Sequence, residues 1–139
     1  MKKILIIGGG SGMGRAIAHK LAKEKAIVSI AGRRKDNLIE VAKQCEQEIT
    51  ICPADVTNRD SVADLFSWFD NEVGEIDVLI NAAGINIANR SMDELDPEEW
   101  DRVININLTG AYNCMKEALD RMRPRQAGLI ILINSVAGR

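Results

Sequence analysis

A glycine-rich loop near the amino terminus has the residue types and spacing to hold a phosphate group. Residues 8–14 read Gly-Gly-Gly-Ser-Gly-Met-Gly, between an apolar run at residues 4–7 and a helical pattern that begins near residue 12. Backbone N–H groups at a helix N-terminus attract anions, and glycine lets the backbone approach them closely. The order of strand, glycine loop and helix therefore predicts a site for the pyrophosphate of a nucleotide.

The spacing of the glycines narrows the kind of nucleotide fold. The dinucleotide fingerprint, with glycine at i, i+2 and i+5, fails in every register, because it needs glycine at Met13, Arg15 or Ile17. The phosphate loop of NTPases fails as well, since from Gly9 its lysine position holds Arg15 and its Ser/Thr position holds Ala16. The spacing that fits is G-x-x-x-G-x-G, with the glycines Gly8, Gly12 and Gly14.

The rest of the chain alternates short β-branched runs with helical patterns, which is typical of a parallel sheet with crossover helices. The predicted strands are residues 4–7, 27–31, 49–52, 78–80 and 129–133. The predicted helices are residues 12–23, 35–47, a segment between Thr57 and Gly74, and 96–122. The expected buried stripes are Met13, Ala16, Ile17 and Leu21 in the first helix, Leu38, Val41, Ala42 and Cys45 in the second, and Val62, Leu65, Phe66 and Phe69 in the third.

Two helix starts carry capping signals. Thr57 with Asp60 three residues later is a variant capping box. Asp96 followed by Pro97 predicts a cap and a proline at the first helical position.

Composition limits the class of protein. The 139 residues form one predicted domain, residues 1–139, that buries about two-thirds of its unfolded surface. The net charge is -2 and the basic residues are scattered, so we expect no nucleic acid partner. Neither a signal segment nor a membrane-spanning run is visible, which predicts a cytoplasmic protein. The three cysteines lack metal-ligand spacing, so we expect no metal site.

Five motifs then occur in one order along the chain. They are the three spaced glycines, Asp55-Val56, Asn-Ala-Ala-Gly at residues 81–84, Asn-Leu-Thr-Gly at residues 107–110, and Asn134-Ser135. In this order the chain resembles a classical short-chain dehydrogenase/reductase from its start to the catalytic serine. The resemblance implies an α/β fold with a Rossmann-like, doubly wound parallel sheet, incomplete at five strands in the order 3-2-1-4-5. Ile7 and Ala82 depart from the family, which usually has Thr and Asn there.

The resemblance also implies which residues form the site. Ser135 and Asn107 match two of the family's four catalytic residues. The expected cofactor-binding residues are Gly8, Gly10, Ser11, Gly12, Met13, Gly14, Arg33, Asp55, Val56, Asn81, Ala82 and Gly84. A hydroxyl at the carboxyl end of a strand, as at Ser135, lies where open α/β sheets bind ligands and can hydrogen-bond a substrate carbonyl or alcohol oxygen. Structural roles remain open: Asp55 as a turn residue, Asn107 as a buried polar group and Ser135 as a strand end.

The end of the second strand indicates the cofactor. A carboxylate there accepts hydrogen bonds from the adenosine ribose, whereas an arginine binds a 2′-phosphate. This chain has Gly32-Arg33-Arg34 at that point, and Arg15 could add positive charge. We therefore expect NADP(H) rather than NAD(H), with Arg33 as the leading contact. Arg34 and Lys35 are expected to form a solvated helix start.

The family's general acid/base is a Tyr about a dozen residues after the serine, with a Lys four residues further on. The sequence stops at Arg139, so we expect a truncated chain that is inactive on its own. Tyr112 and Lys116 match Tyr-x-x-x-Lys but precede Ser135, at a point where the family often has an aromatic residue. Five residues of regular helix would also turn Tyr112 roughly 140° away from Asn107. We reject this pair as the catalytic one.

Two functional hypotheses follow. The first is an NADP(H)-dependent oxidoreductase that reduces a carbonyl or oxidises an alcohol of a small molecule. The second is a non-catalytic NAD(P)-binding module that acts through a partner. In either case we expect a homo-oligomer, associating through the 96–122 helix and the exposed edge strand 129–133, because an apolar strand edge pairs readily with another chain.

Overall fold

The computed structural model describes residues 1–135, which form a five-stranded parallel sheet with helices on both faces. The sheet order is β3-β2-β1-β4-β5, which confirms the order that the family resemblance implies. The strands are β1 (Lys2–Ile7), β2 (Ala26–Gly32), β3 (Thr50–Pro53), β4 (Val78–Asn81) and β5 (Leu129–Leu132). All neighbouring strands are parallel. Each connection must therefore cross over, and helices form the crossovers.

The helices are α1 (Gly12–Leu21), α2 (Lys35–Gln44), α3 (Arg59–Glu72), α4 (Pro97–Ile104) and α5 (Gly110–Met122). A π-helical turn, Asn105–Thr109, joins α4 to α5. In the part of the chain that the structure describes, no helix has both the length and the apolar composition needed to cross a membrane.

The central strand β1 is buried on both faces. Ile4 and Ile6 pack in one core cluster with residues of α1 and α2. Leu5 and Ile7 point to the opposite face and pack in a second cluster with residues of α3 and α5. Side chains alternate between the two faces of a strand, so a strand covered by helices on both sides has a continuous apolar sequence.

The predicted stripe of α3 is confirmed, and that of α1 is confirmed in part, since Ile17 and Leu21 pack against the core whereas Met13 and Ala16 do not. Met13 is 61 % exposed and Ala16 is also exposed, while the buried positions are Gly14, Ala18 and Ala22. Small residues are the most buried ones on the face of α1 that contacts the sheet, because α1 lies close against the glycine loop and the sheet. A sequence pattern based on large apolar residues does not detect a buried face made of small ones.

The start of α3 also differs from the prediction. The N-cap is Asn58, whose Oδ1 accepts a hydrogen bond from Ser61 N at 3.1 Å. Thr57 instead donates its hydroxyl to Asp55 Oδ1 at 2.7 Å. Asp96 caps α4 as predicted, accepting from Glu98 N at 2.8 Å.

The 96–122 segment is not a regular helix. The π-helical turn at Asn105–Thr109 has i to i+5 hydrogen bonding and a smaller rotation per residue than an α-helix. The rotation of roughly 140° between Asn107 and Tyr112 holds only for a regular α-helix, so it does not apply across this turn.

Candidate functional site

A cleft lies at the carboxyl edge of the sheet, where β1 to β4 end. It has about 710 Å³ of space, partly open to solvent. The predicted site residues that line it are Gly8, Gly10, Ser11, Arg33, Asp55, Val56, Ala82 and Gly84. The predicted residues outside its lining, among residues 1–135, are Gly12, Met13, Gly14, Asn81, Asn107 and Ser135. The topology thus brings four loops that are distant in sequence to one site.

Two glycines of the loop permit close backbone packing. Gly8 has φ +78°, and a Cβ there would lie 2.7 Å from the backbone nitrogen of Ala83. A Cβ on Gly14 would lie 2.1 Å from the carbonyl oxygen of Gly8. The loop therefore lies between the start of α1 and the chain after β4. The first N–H groups of α1, which have no acceptor within the helix, are consequently close to the cleft.

The end of β2 supplies positive charge to the cleft. Arg33 and Arg34 both line it, so Arg34 is part of this wall as well as the start of α2. When the side-chain amide of Asn37 is oriented so that its oxygen faces Arg34, Arg34 Nη2 donates a hydrogen bond of 2.9 Å to Asn37 Oδ1. Arg15 does not contribute as expected: its Nη2 donates to Gln44 Oε1 at 2.6 Å, and the residue lies outside the lining. The two arginines that follow Gly32 are the basic residues of the site.

The turn after β3 presents a fixed carboxylate. Asp55 Oδ1 accepts hydrogen bonds from Thr57 Oγ1 at 2.7 Å and from Thr57 N at 3.0 Å. These bonds, and the positive charge of Arg33, hold the pKa of Asp55 below its usual value. The carboxylate is therefore ionised at neutral pH and can accept a hydrogen bond from a ligand in the cleft.

Val56, beside Asp55, is held by α5. Asn113, which is buried, donates from Nδ2 to the carbonyl oxygen of Val56 at 2.9 Å. The sequence analysis missed this contact, because Asn113 stood only as a residue inside the rejected Tyr-x-x-x-Lys match. The available signal was a lone amide side chain beside Cys114 and Ala118, on the apolar stripe of a helix.

The chain after β4 forms the remaining wall. Asn81 is buried, and its Oδ1 accepts from Ala83 N at 3.2 Å. Ala82 N donates to Ile7 O at 2.9 Å, which ties this wall to the end of β1. Asn107, which is exposed, makes two hydrogen bonds to the backbone of Ile85. The predicted residues Asn81 and Asn107 thus shape the cleft without lining it.

Ser135 follows β5 at the same edge of the sheet. Ile133 N donates to Asn81 O at 2.9 Å, so the chain leading to Ser135 runs alongside the end of β4. Ser135 N donates to Asn134 Oδ1 at 2.8 Å. Tyr112 lies elsewhere, with Arg59 and Lys116 in a shallow pocket between α3 and α5. This position agrees with the rejection of Tyr112 as a catalytic residue.

Comparison with known proteins defines the class. The family model described as short chain dehydrogenase matches residues 2–139. The chain belongs to the short-chain dehydrogenase family. This membership supports a nicotinamide cofactor and does not favour the alternative of a non-catalytic module.

Individual relatives are longer than this chain. An uncharacterized oxidoreductase of Staphylococcus aureus is 37 % identical over 138 residues, which are 99 % of this chain and 59 % of that protein. A 3beta-hydroxysteroid dehydrogenase of Mediterraneibacter gnavus is 37 % identical over 142 residues, which cover 99 % of this chain and 50 % of that protein. The closed form of a serine dehydrogenase complexed with NADP+ superposes with a TM-score of 0.92 at 28 % identity. The match covers 98 % of this chain and 55 % of that protein. The chain thus spans half to six-tenths of the length of these proteins.

Proposed function

We propose that this chain forms the cofactor-binding part of an NADP(H)-dependent oxidoreductase that interconverts a small-molecule carbonyl and an alcohol. The observation that carries the proposal is the pair Arg33 and Arg34 at the end of β2, in the same cleft as the glycine loop. A bound nicotinamide nucleotide supplies or accepts the hydride in this chemistry.

The donor set of the cleft suits NADP(H). The N-terminus of α1 and the loop before it suit a pyrophosphate, because free N–H groups and the helix dipole stabilise negative charge. The guanidinium groups of Arg33 and Arg34 suit a 2′-phosphate, which they bind with charge-assisted hydrogen bonds. The end of β2 carries no carboxylate that would repel that phosphate. Asp55 and Val56 form the wall assigned to the adenine.

The other predicted residues take supporting roles in this proposal. Ser135 offers its hydroxyl to the substrate oxygen, and Asn107 holds the loop after β4 at Ile85. The Tyr112 hydroxyl takes no part, because Tyr112 lies in the pocket between α3 and α5. The proposal includes a cytoplasmic location, in which the free thiols of Cys45, Cys52 and Cys114 stay reduced.

Calorimetric titration of the chain with NADPH and with NADH tests the proposal. Arg33→Ala should weaken NADPH binding by about 10- to 150-fold, the equivalent of about 1.5–3 kcal/mol for hydrogen bonds to a charged group. NADH binding should stay nearly unchanged. Arg15→Ala is the matched control, since Arg15 bonds to Gln44 outside the cleft. Equal losses for both nucleotides, or a loss in the control variant, would refute the assignment of Arg33.

A further inference from the structure

We infer that Asn113 is a positioning residue for the adenosine half of the nucleotide, because it fixes the cleft wall at Val56 from behind. The inference rests on the proposed function. It concerns a side chain that lies outside the cleft and that acts through Val56.

The contact joins two buried residues far apart in sequence. Asn113 is 4 % exposed and Val56 is 8 % exposed. Asn113 Nδ2 donates to Val56 O at 2.9 Å, across 57 positions of sequence. A buried carbonyl group that loses its donor pays a desolvation penalty, so this bond favours one position of the Val56 backbone.

Packing of α5 supports the same position. Gly110 lies one helical turn before Asn113, and a Cβ at Gly110 would lie 2.6 Å from Val56 Cγ2. The backbone of α5 is therefore in direct contact with the side chain of Val56. The hydrogen bond fixes the Val56 main chain, and the contact at Gly110 limits movement of its side chain away from the cleft.

Two neighbouring hydrogen bonds hold the flanks of the turn. Ala54 N donates to Gly32 O at 3.0 Å, which ties the turn to β2. Asp55 N donates to Ser61 Oγ at 2.9 Å, which ties it to α3. The Val56 carbonyl is held from α5. Loss of the Asn113 amide should therefore release Val56 while both flanks stay in place.

This arrangement predicts a selective effect on ligand binding. Val56 lines the cleft next to Asp55 and on the same side as Arg33, where the adenosine 2′-phosphate half is assigned. The pyrophosphate loop lies on β1 and α1. Displacement of Val56 should therefore weaken ligands that carry the adenosine half and spare those that lack it.

The test compares Asn113→Leu with the unmodified chain, because leucine has a similar size and cannot donate. The dissociation constant of adenosine 2′,5′-bisphosphate should rise about 5- to 20-fold. Binding of reduced nicotinamide mononucleotide, which has no adenosine, should not change. Amide hydrogen exchange at residues 55–58 should become faster in the nucleotide-free protein. Ser29→Ala is the control, since it breaks the Ser29–Thr50 bond between β2 and β3 without touching the cleft.

A second variant, Asn113→Asp, makes the hydrogen-bond donor to Val56 O depend on pH. In Asn113→Asp the ionised carboxylate cannot donate to Val56 O, whereas the protonated carboxyl can. Burial raises the pKa of such a carboxyl; of the charged side chains that line the pocket beside Asn113, Glu117 acts in the same direction, and Arg59 and Lys116 oppose it. The ratio of its adenosine 2′,5′-bisphosphate dissociation constant to that of the unmodified chain, measured at equal pH, should therefore fall between pH 8 and pH 6.

Three results would overturn the inference. They are an unchanged dissociation constant in a folded Asn113→Leu variant, equal weakening of both ligands, and the same loss in Ser29→Ala. If Asn113→Leu does not fold, a pH-independent ratio in Asn113→Asp overturns it instead. A chain that binds neither NADPH nor adenosine 2′,5′-bisphosphate contradicts the proposed function, and the inference fails with it. If the unmodified chain binds NADPH normally and Asn113→Leu leaves amide exchange at residues 55–58 unaltered, the result contradicts the inference but not the proposed function.

Discussion

Asn107 and Ile85 are joined by two hydrogen bonds that use both ends of one side-chain amide. Ile85 N donates to Asn107 Oδ1 at 2.8 Å, and Asn107 Nδ2 donates to Ile85 O at 2.9 Å. Asn107 lies in the π-helical turn, and Ile85 lines the cleft. π-Helical turns occur often at functional sites, and here the turn carries the residue that holds one wall of the cleft.

Replacement of this amide should loosen the wall. In Asn107→Leu both backbone groups of Ile85 lose their partners, and each such bond contributes about 0.5–1.5 kcal/mol. Hydrogen exchange at the Ile85 amide should become at least about tenfold faster, and NADPH binding should weaken. Asn86→Ala is the control in the same loop, because Asn86 accepts only a local bond from Ile87 N. Similar exchange at Ile85 in Asn107→Leu and in the unmodified chain would contradict the bracing role.

The glycine loop should tolerate a methyl group at one position and not at another. In Gly14→Ala the new Cβ would lie 2.1 Å from the backbone oxygen of Gly8, so the loop must move. We expect the free energy of unfolding to fall by about 1–3 kcal/mol, with a loss of NADPH binding. Gly10→Ala meets its nearest atoms at 3.4 Å and should stay within about 0.5 kcal/mol. Urea denaturation measures both, and equal stability of the two variants would argue against close packing at Gly14.

Acid should destabilise the chain partly through Asp55. Its pKa is lowered in the folded state by hydrogen bonds from Thr57, so its contribution is present above the unfolded pKa and is lost as the pH falls through the folded pKa. Thr57→Val removes the hydroxyl bond and brings the folded pKa closer to the unfolded one. The loss of stability between about pH 6 and pH 3 should then become smaller.

Denaturation midpoints at the two pH values measure this effect. Asp55→Asn is the matched background, because Thr57→Val should not alter the pH dependence once the carboxyl group is gone. An unaltered pH dependence of Thr57→Val in the unmodified background would show that the Thr57 hydroxyl does not set the pKa of Asp55.

The association predicted through residues 129–133 and the 96–122 segment stays a prediction. In β5, Leu129, Ile131 and Leu132 are all exposed. Within residues 1–135, β5 pairs only with β4 and offers its second edge to another copy of the chain. Ile131→Lys should reduce association measured by light scattering, because a charge on a paired edge disfavours stacking. Met92→Lys, at an exposed loop position, should leave this association unchanged. A monodisperse monomer at about tens of micromolar would disprove the prediction.

The strands and most of the cleft could be predicted from the sequence itself, whereas the sheet order was implied by the resemblance to a known family. Continuous apolar strands and glycine spacing are local signals, and parallel strands bring their carboxyl ends to one edge. The features that could not be predicted depend on contacts between distant segments. Asn113 meets Val56 across 57 positions of sequence. The fully buried residues of α1 are Gly14 and Ala18, and only Ile17 and Leu21 of the predicted stripe pack beside them, because close approach to the loop matters more there than side-chain size.

The N-cap of α3 and the helix type of residues 105–109 could not be predicted from the sequence pattern either. Thr57 and Asn58 are both good N-cap residues, and the choice of Asn58 follows from the bond between Thr57 and Asp55. The π-helical turn lies in a segment whose residues are compatible with ordinary α-helix. The motif identified Asn107 as a site residue, but its pairing with Ile85 is visible only in the structure.

Chemical-shift mapping by NMR during titration with NADP+ tests the central claim most directly, since it reports where the nucleotide binds. We expect saturable shifts of the amides in residues 8–14, 33–34, 55–56 and 82–85, and weaker binding of NAD+ to the same residues. Amides around Tyr112, in the pocket between α3 and α5, should not shift. Absence of saturable shifts, or shifts centred on Tyr112 and Lys116, would contradict the assignment of the cleft as the NADP(H) site.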